Sequence, residues 1–111
     1  MRFDPVDPPR RFRAGRLAEV EMSDTGRLAL DPDEQVTLTT PSGGEYDVAR
    51  KSWGFYATPS VDRRLPSFGL RACLATNPDG QRFVLLVERG HEDEFAAYRE
   101  EQGLTVEWLD A

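Results

Sequence analysis

Apolar and polar residues alternate with a period of two through much of the first half of the chain. From Leu17 to Ala49 the alternation comes in short runs, which is typical of half-buried β-strands. Residues that favour turns separate the runs: Ser23-Asp24-Thr25-Gly26, Asp31-Pro32-Asp33 and Ser42-Gly43-Gly44. The pattern therefore predicts four short strands in an antiparallel meander, near 16–22, 26–30, 35–40 and 45–50.

The second half predicts three more strands before the C-terminal region. Trp53–Ala57 is a short strand, and Leu70–Thr76 and Gln81–Glu88 are two longer ones. The last two flank Asn77-Pro78-Asp79-Gly80, in which Pro at the second position and Gly at the fourth predict a hairpin turn.

One clear helix is predicted over residues 90–103. Three acidic residues stand in its first turn, where the helix dipole favours negative charge, and Gly103 stands where a left-handed C-terminal cap is expected. Thr105–Leu109 then alternates again and predicts an edge strand.

The N-terminal segment 1–16 reads differently from the rest. Pro5, Pro8 and Pro9 disfavour a helix there. With five arginines and two aspartates the segment has a net charge of +3. We predict an extended Pro/Arg-rich arm over 1–16, either a docked tail or a contact for a partner, and a single β-rich globular domain over 17–111.

These elements together predict an α+β fold. Its sheet is mainly antiparallel and partly curled, has about seven or eight short strands, and carries one C-terminal helix packed on it.

Composition narrows the class of protein. The net charge is −6, with 13 arginines to one lysine, a ratio that indicates a GC-rich bacterial or archaeal genome. An acidic chain makes a nucleic-acid partner unfavourable, because phosphate neutralisation needs clustered cations. A single cysteine, Cys73, excludes an internal disulfide and fits a reducing cytoplasm. No apolar run approaches the roughly 18 residues needed to span a bilayer, so no membrane partner is expected.

Segment 51–71 is where aromatic rings and positive charge coincide. It holds four aromatic residues, one lysine and three arginines against one acidic residue, and two prolines bound a long loop within it. Aromatic rings stack on planar ligands, and arginine forks bind phosphate or carboxylate. The segment predicts a ligand- or partner-binding surface, unless its rings are core and its arginines only solvated. The candidate residues are Lys51, Trp53, Tyr56, Ser60, Arg63, Arg64 and Arg71.

Catalytic chemistry is less well indicated. One histidine, His91, and one cysteine cannot supply a conventional zinc site, so no metal is predicted. No glycine-rich phosphate-binding motif occurs, so no cofactor is predicted either. Cys73 is expected to be a small packed residue rather than a reactive thiol.

Three functions follow from these observations. The first is a small non-enzymatic binding or accessory module that uses 51–71 to recognise an anionic or carbohydrate- or nucleotide-bearing ligand, or an acidic protein partner. The second is a metal-independent isomerase or lyase acting on a sugar or phosphorylated metabolite, with Tyr56 or His91 in acid–base work. The third is a homo-oligomer formed through the edge strand at 105–109.

Overall fold

The computed structural model describes residues 1–111 and contains eight strands and two helices. The strands are β1 (Arg2–Ala14), β2 (Val20–Ala29), β3 (Gln35–Thr39), β4 (Glu45–Lys51), β5 (Gly54–Ala57), β6 (Leu70–Thr76), β7 (Arg82–Glu88) and β8 (Thr105–Trp108). The helices are α1 (Arg64–Ser67) and α2 (Glu92–Gln102). Every strand pair is antiparallel, and the predicted α+β class is confirmed.

The strands form three small sheets. β1 and β2 make a two-stranded ribbon, β3, β4 and β5 make a second sheet, and the third has the order β7-β6-β8. The β6–β7 turn lies at the predicted Asn77–Gly80 position, where Gly80 has φ +83° and Gly80 N–H donates to the Asn77 carbonyl at 3.0 Å.

The N-terminal third differs from the prediction. The predicted arm is strand β1, paired along most of its length with β2, which runs unbroken through the predicted turn at 23–26. The two separate strands at 16–22 and 26–30 were therefore wrong. β1 has six residues from Pro5 to Arg10 opposite only three of β2, and this irregularity accommodates the prolines that argued against a strand.

The core lies between the β3–β5 sheet and the β6–β8 sheet. Leu65, Leu70 and Ala72 are buried together, with Tyr46 of β4 and Leu86 of β7 packed against them. Leu65 is carried by α1, a single turn inside the segment predicted to be a loop. That turn is stabilised at its start because Ser60 accepts two backbone N–H groups, Leu65 N through its carbonyl and Arg64 N through its hydroxyl.

Helix α2 covers the other face of the β6–β8 sheet. Phe95 meets Trp108 of β8 edge to face, with ring centroids 5.8 Å apart, and Cys73 on that face of β6 is fully buried, as predicted. The helix ends at the predicted position, because Gly103 adopts the left-handed conformation at φ +66°. Neither helix has the length and apolar character required to cross a membrane.

We predict that Leu65→Ala destabilises the protein by about 2 to 4 kcal/mol, because it leaves a cavity where a side chain only 1% exposed had packed. Urea unfolding measures the loss. Leu38→Ala is the matched control, since Leu38 is 53% exposed and its truncation should cost less than about 1 kcal/mol. Equal losses in the two variants would contradict this description of the core.

Candidate functional site

A cavity of about 340 Å³ lies between α2 and the β6–β8 sheet, within the size range of small-molecule sites. Its apolar wall combines side chains from the sheet and the helix, and its charged groups lie around them. The apolar lining is Pro66, Leu70, Val87, Phe95, Ala96 and Trp108, and the charged lining is Arg71, Arg89, Arg99, Glu92 and Asp110. Three cations against two anions give this cavity a net positive charge in a chain of net charge −6.

Arg71 is held firmly at the wall of the cavity. Its Nε and Nη2 donate to the two oxygens of Asp110 at 2.7 and 2.9 Å, and its guanidinium lies 4.0 Å from the centroid of the Trp108 ring. Hydrogen bonding to Arg71 lowers the pKa of Asp110, and the same contact raises the pKa of Arg71. Arg71 therefore orders Trp108 and the C-terminus, and most of its charge is already compensated.

Arg89 and Arg99 are not paired in this way. Neither forms an ion pair with a carboxylate. Arg89 Nη2 donates to the Pro66 carbonyl at 3.0 Å, and Arg99 Nε donates to the Leu104 carbonyl at 3.3 Å. Since a guanidinium has five N–H donors, each arginine keeps several for a ligand.

The nearby carboxylate of Glu92 is engaged elsewhere. Both of its oxygens accept the Gly90 backbone N–H, at 3.1 and 3.0 Å. This bond is the main cause of the lowered pKa of Glu92. Glu92 thus holds the turn between β7 and α2, at the start of the helix that carries Arg99.

The cations of the predicted 51–71 surface are mostly paired internally. Lys51 Nζ lies 2.5 Å from Asp33, Arg64 Nη2 lies 3.8 Å from Asp47, and Arg63 Nε lies 4.0 Å from its neighbour Asp62. The hydroxyl of Ser60, another predicted ligand contact, accepts the backbone N–H of Arg64 at the start of α1. Of the seven predicted site residues, only Arg71 lines one of the five main cavities.

Three of the four aromatic residues of the same segment are open to solvent. Trp53 is 71% exposed, Phe55 67% and Tyr56 49%. All three lie in or beside the β4–β5 hairpin. The structure thus separates the predicted surface into an exposed aromatic hairpin that ends β4 at Lys51, the arginines Arg63 and Arg64 at α1, and Arg71 in the cavity.

His91 lies in a second, more open cavity of about 420 Å³ with Glu88, Glu94 and Tyr98. Its Nδ1 is 2.8 Å from Glu94 Oε1, and its Nε2 is 3.6 Å from Glu88 Oε1. Hydrogen bonding to Glu94 is the main cause of a raised pKa for His91. Ser42 Oγ lies 3.3 Å from His91 Nε2 and donates to Glu88, which contributes most to the lowered pKa of Glu88.

The cavity residues Arg89, Phe95, Arg99 and Trp108 were missed from the sequence. One signal was available, because Phe95, Ala96 and Arg99 recur at helical spacing and so share a stripe with Glu92. An arginine in the apolar stripe of a helix points towards the sheet that the helix covers. The contribution of Arg89 and Trp108 from two other elements had no local signal.

No protein-family model, curated protein or solved structure matches this chain. Its His, Cys, Asp and Glu side chains nowhere form a group of three or more that could hold a metal ion. The functional proposal therefore depends on the two cavities and on the exposed aromatic hairpin.

We predict that Glu94→Gln lowers the pKa of His91, because it replaces the carboxylate that stabilises the imidazolium. The imidazole signal in NMR spectra is unambiguous, since the chain has one histidine. Glu101→Gln, at the other end of α2, is the control and should leave the midpoint unchanged. The same midpoint in all three proteins would contradict the contact.

The raised pKa of His91 also determines how its contribution to stability changes with pH. The contribution of His91 to the free energy of unfolding is complete below the unfolded value of 6.5 and is lost as the pH rises through the higher folded value. In Glu94→Gln, the loss of unfolding free energy with rising pH should be smaller than in the original protein.

Proposed function

We propose that the protein is a non-enzymatic binding module for a small anionic molecule with an apolar or aromatic body, held in the cavity between α2 and the β6–β8 sheet. The observation that carries the proposal is the presence of two arginines, Arg89 and Arg99, that lack carboxylate partners and line an apolar-walled cavity. A carboxylate or phosphate on the ligand would supply the missing charge.

Each part of the cavity has a role in this proposal. The free N–H groups of Arg89 and Arg99 bind the anionic group, because guanidinium forks match the geometry of carboxylate and phosphate oxygens. Phe95 and Trp108 offer ring surfaces to the body of the ligand. Arg71 is a positioning residue, since its bond to Asp110 and its stacking fix Trp108.

The exposed hairpin of Trp53, Phe55 and Tyr56 supports a protein partner as the second ligand of the same module. Tyr and Trp are enriched among the residues that contribute most to protein–protein binding. Because Lys51 and Arg64 already pair with Asp33 and Asp47, the hairpin offers ring surface more than free charge. We therefore propose the cavity as the site for the small anion and segment 51–71 as the surface for a protein partner.

Cytoplasmic location belongs to the same proposal. It is supported by the single cysteine, Cys73, which is buried and has no disulfide partner.

A metal-independent isomerase or lyase is the second candidate, and one observation favours it. His91 lines a cavity between two carboxylates, Glu88 and Glu94, which is an arrangement suited to acid–base work. The raised pKa of His91 favours its protonated form, which is the proton-donating form. Tyr56, the other residue predicted for this role, lines none of the five main cavities.

We predict that phenyl phosphate or benzoate shifts the indole N–H signal of Trp108 in NMR spectra and leaves that of Trp53 in place. The two tryptophans mark the two candidate surfaces, because Trp108 lines the cavity and Trp53 lies at the β4–β5 hairpin. Trp53→Phe assigns the signals. A shift of Trp53 alone would locate anion binding on segment 51–71 and contradict the cavity as its site.

Arg99→Gln should weaken binding of these probes about tenfold or more, since hydrogen bonds to charged groups contribute about 1.5 to 3 kcal/mol. Arg82→Gln is the matched control, because Arg82 is exposed on β7, lacks a carboxylate partner and lies outside this cavity. Equal affinities for the two variants would show that the loss of one positive charge, and not the cavity, determines binding.

Carbon-bound hydrogen exchange discriminates the two candidate functions. Isomerases and lyases that remove a proton from carbon exchange it with solvent, so incubation with a panel of sugar phosphates in D₂O should leave no deuterium on carbon if the protein only binds. Incorporation that disappears in His91→Gln would establish the enzymatic candidate instead.

A further inference from the structure

A polar cavity adjoins the larger cavity between α2 and the β6–β8 sheet. It has a volume of about 240 Å³, and Phe68 is the only apolar side chain that lines it. Gly69 and Arg89 line both cavities, so the two are neighbours. The other residues that line the polar cavity are Ser42, Gly43, Gly44, Ser67 and Glu88.

The hydroxyl groups of the polar cavity can act towards a ligand only as hydrogen-bond acceptors. Ser42 Oγ donates its proton to the Glu88 carboxylate, and Ser67 Oγ donates its proton to the Arg64 carbonyl at 2.6 Å. A hydroxyl that has donated its single proton keeps the lone pairs on its oxygen. Both serines therefore have an acceptor to offer and no proton left to donate.

Backbone N–H groups around the polar cavity are engaged as well. Gly43 N–H donates to the Thr40 carbonyl at 3.1 Å, and Gly44 N–H donates to the Thr40 hydroxyl at 2.9 Å. Gly69 N–H donates to the Pro66 carbonyl at 3.1 Å. The donors left for a ligand are therefore chiefly those of the Arg89 guanidinium, which stands beside a set of acceptors.

Glu88 is the strongest acceptor of this set, because a carboxylate makes charge-assisted hydrogen bonds. Its side chain is only 14% exposed, and the hydrogen bond from Ser42 is the main cause of its lowered pKa. The charge of Glu88 already faces His91, whose Nε2 lies 3.6 Å from Glu88 Oε1. A neutral hydroxyl suits this position better than an ammonium group, which would meet the imidazolium form of His91.

We propose that the ligand of the larger cavity is an aromatic acid that carries a hydroxyl group on the carbon beside its anionic group. This inference rests on the proposed function, which assigns the aromatic body to Phe95 and Trp108 and the anionic group to Arg89 and Arg99. Because Arg89 also lines the polar cavity, a hydroxyl next to the anionic group lies near the acceptors there. It donates its proton to Glu88 or to a serine oxygen.

Three compounds with the same phenyl ring and the same carboxylate chain test the proposal. Phenylpropionate has no polar group beside the carboxylate, phenyllactate has a hydroxyl there, and phenylalanine has an ammonium group. NMR titration of the full chain, followed at the indole N–H signal of Trp108, gives their dissociation constants. We expect the better enantiomer of phenyllactate to bind at least about fivefold more tightly than phenylpropionate, which is the gain expected from one hydrogen bond to a charged group.

Glu88→Gln tests where the hydroxyl binds. A neutral amide is a weaker acceptor than a carboxylate, so this variant should lose most of the preference for phenyllactate over phenylpropionate. The readout is the ratio of the two dissociation constants, because the change in net charge affects both compounds alike. Glu101→Gln makes the same change at an exposed position outside the five main cavities and should leave the ratio unchanged. Continued binding of phenylpropionate to Glu88→Gln shows that the cavity still folds.

The results separate failure of this inference from failure of the proposed function. If neither these compounds nor phenyl phosphate shifts the Trp108 signal, the proposed function fails and the inference fails with it. If phenyl phosphate shifts that signal but phenyllactate binds no more tightly than phenylpropionate, only the hydroxyl is overturned. Tighter binding of phenylalanine than of phenyllactate would identify an aromatic amino acid instead. A preference for phenyllactate that Glu88→Gln leaves intact would place the hydroxyl outside the polar cavity.

Discussion

The burial of Leu65 between two sheets is the contact on which the rest of the structure depends. Its side chain is buried in one cluster with Leu70 and Ala72 of β6, and Tyr46 of β4 packs against that cluster. The same turn of helix contributes to the candidate cavity, since the Pro66 carbonyl next to Leu65 accepts a hydrogen bond from Arg89. Two neighbouring residues of α1 thus contribute to different features, Leu65 to the core and Pro66 to the cavity.

Pairing of charges decides which arginines are available to a ligand. Arg71 and Arg64 have carboxylate neighbours in Asp110 and Asp47, so an incoming anion would compete with bonds already made. Arg89 and Arg99 donate only to backbone carbonyls and form no ion pair with a carboxylate. An arginine-rich composition therefore says little about function until the partner of each guanidinium is known.

Local signals predicted much of the fold. The capped helix that ends at Gly103, the turn at Asn77–Gly80 and the alternation in β3 and β4 depend on residues close in sequence, and the structure agrees with each of them. The ribbon was missed because prolines in β1 argue against a strand, whereas the irregular pairing after Pro5 accommodates them. No local pattern reports such an irregularity.

The site was harder to predict because it depends on contacts between distant residues. The net positive charge of segment 51–71 can be read from the sequence, but the pairing of Lys51 with Asp33 depends on tertiary structure. The cavity likewise combines Arg89 after β7, Arg99 on α2 and Trp108 on β8, which become neighbours only when α2 folds back over the sheet.

Helix α2 connects the cavity to the ribbon. Gln102, buried in its last turn, accepts the backbone N–H of Arg16 at 2.6 Å and donates to Glu19, so it fixes the tip of the β1–β2 hairpin. Arg99 lies three residues before Gln102, on the same helix and one turn away. The hydrogen bonds of Gln102 therefore connect the ribbon to the C-terminal turn of α2, which also carries the Arg99 guanidinium that lines the cavity. The tip of the ribbon and the guanidinium that lines the cavity are therefore connected through one turn of helix.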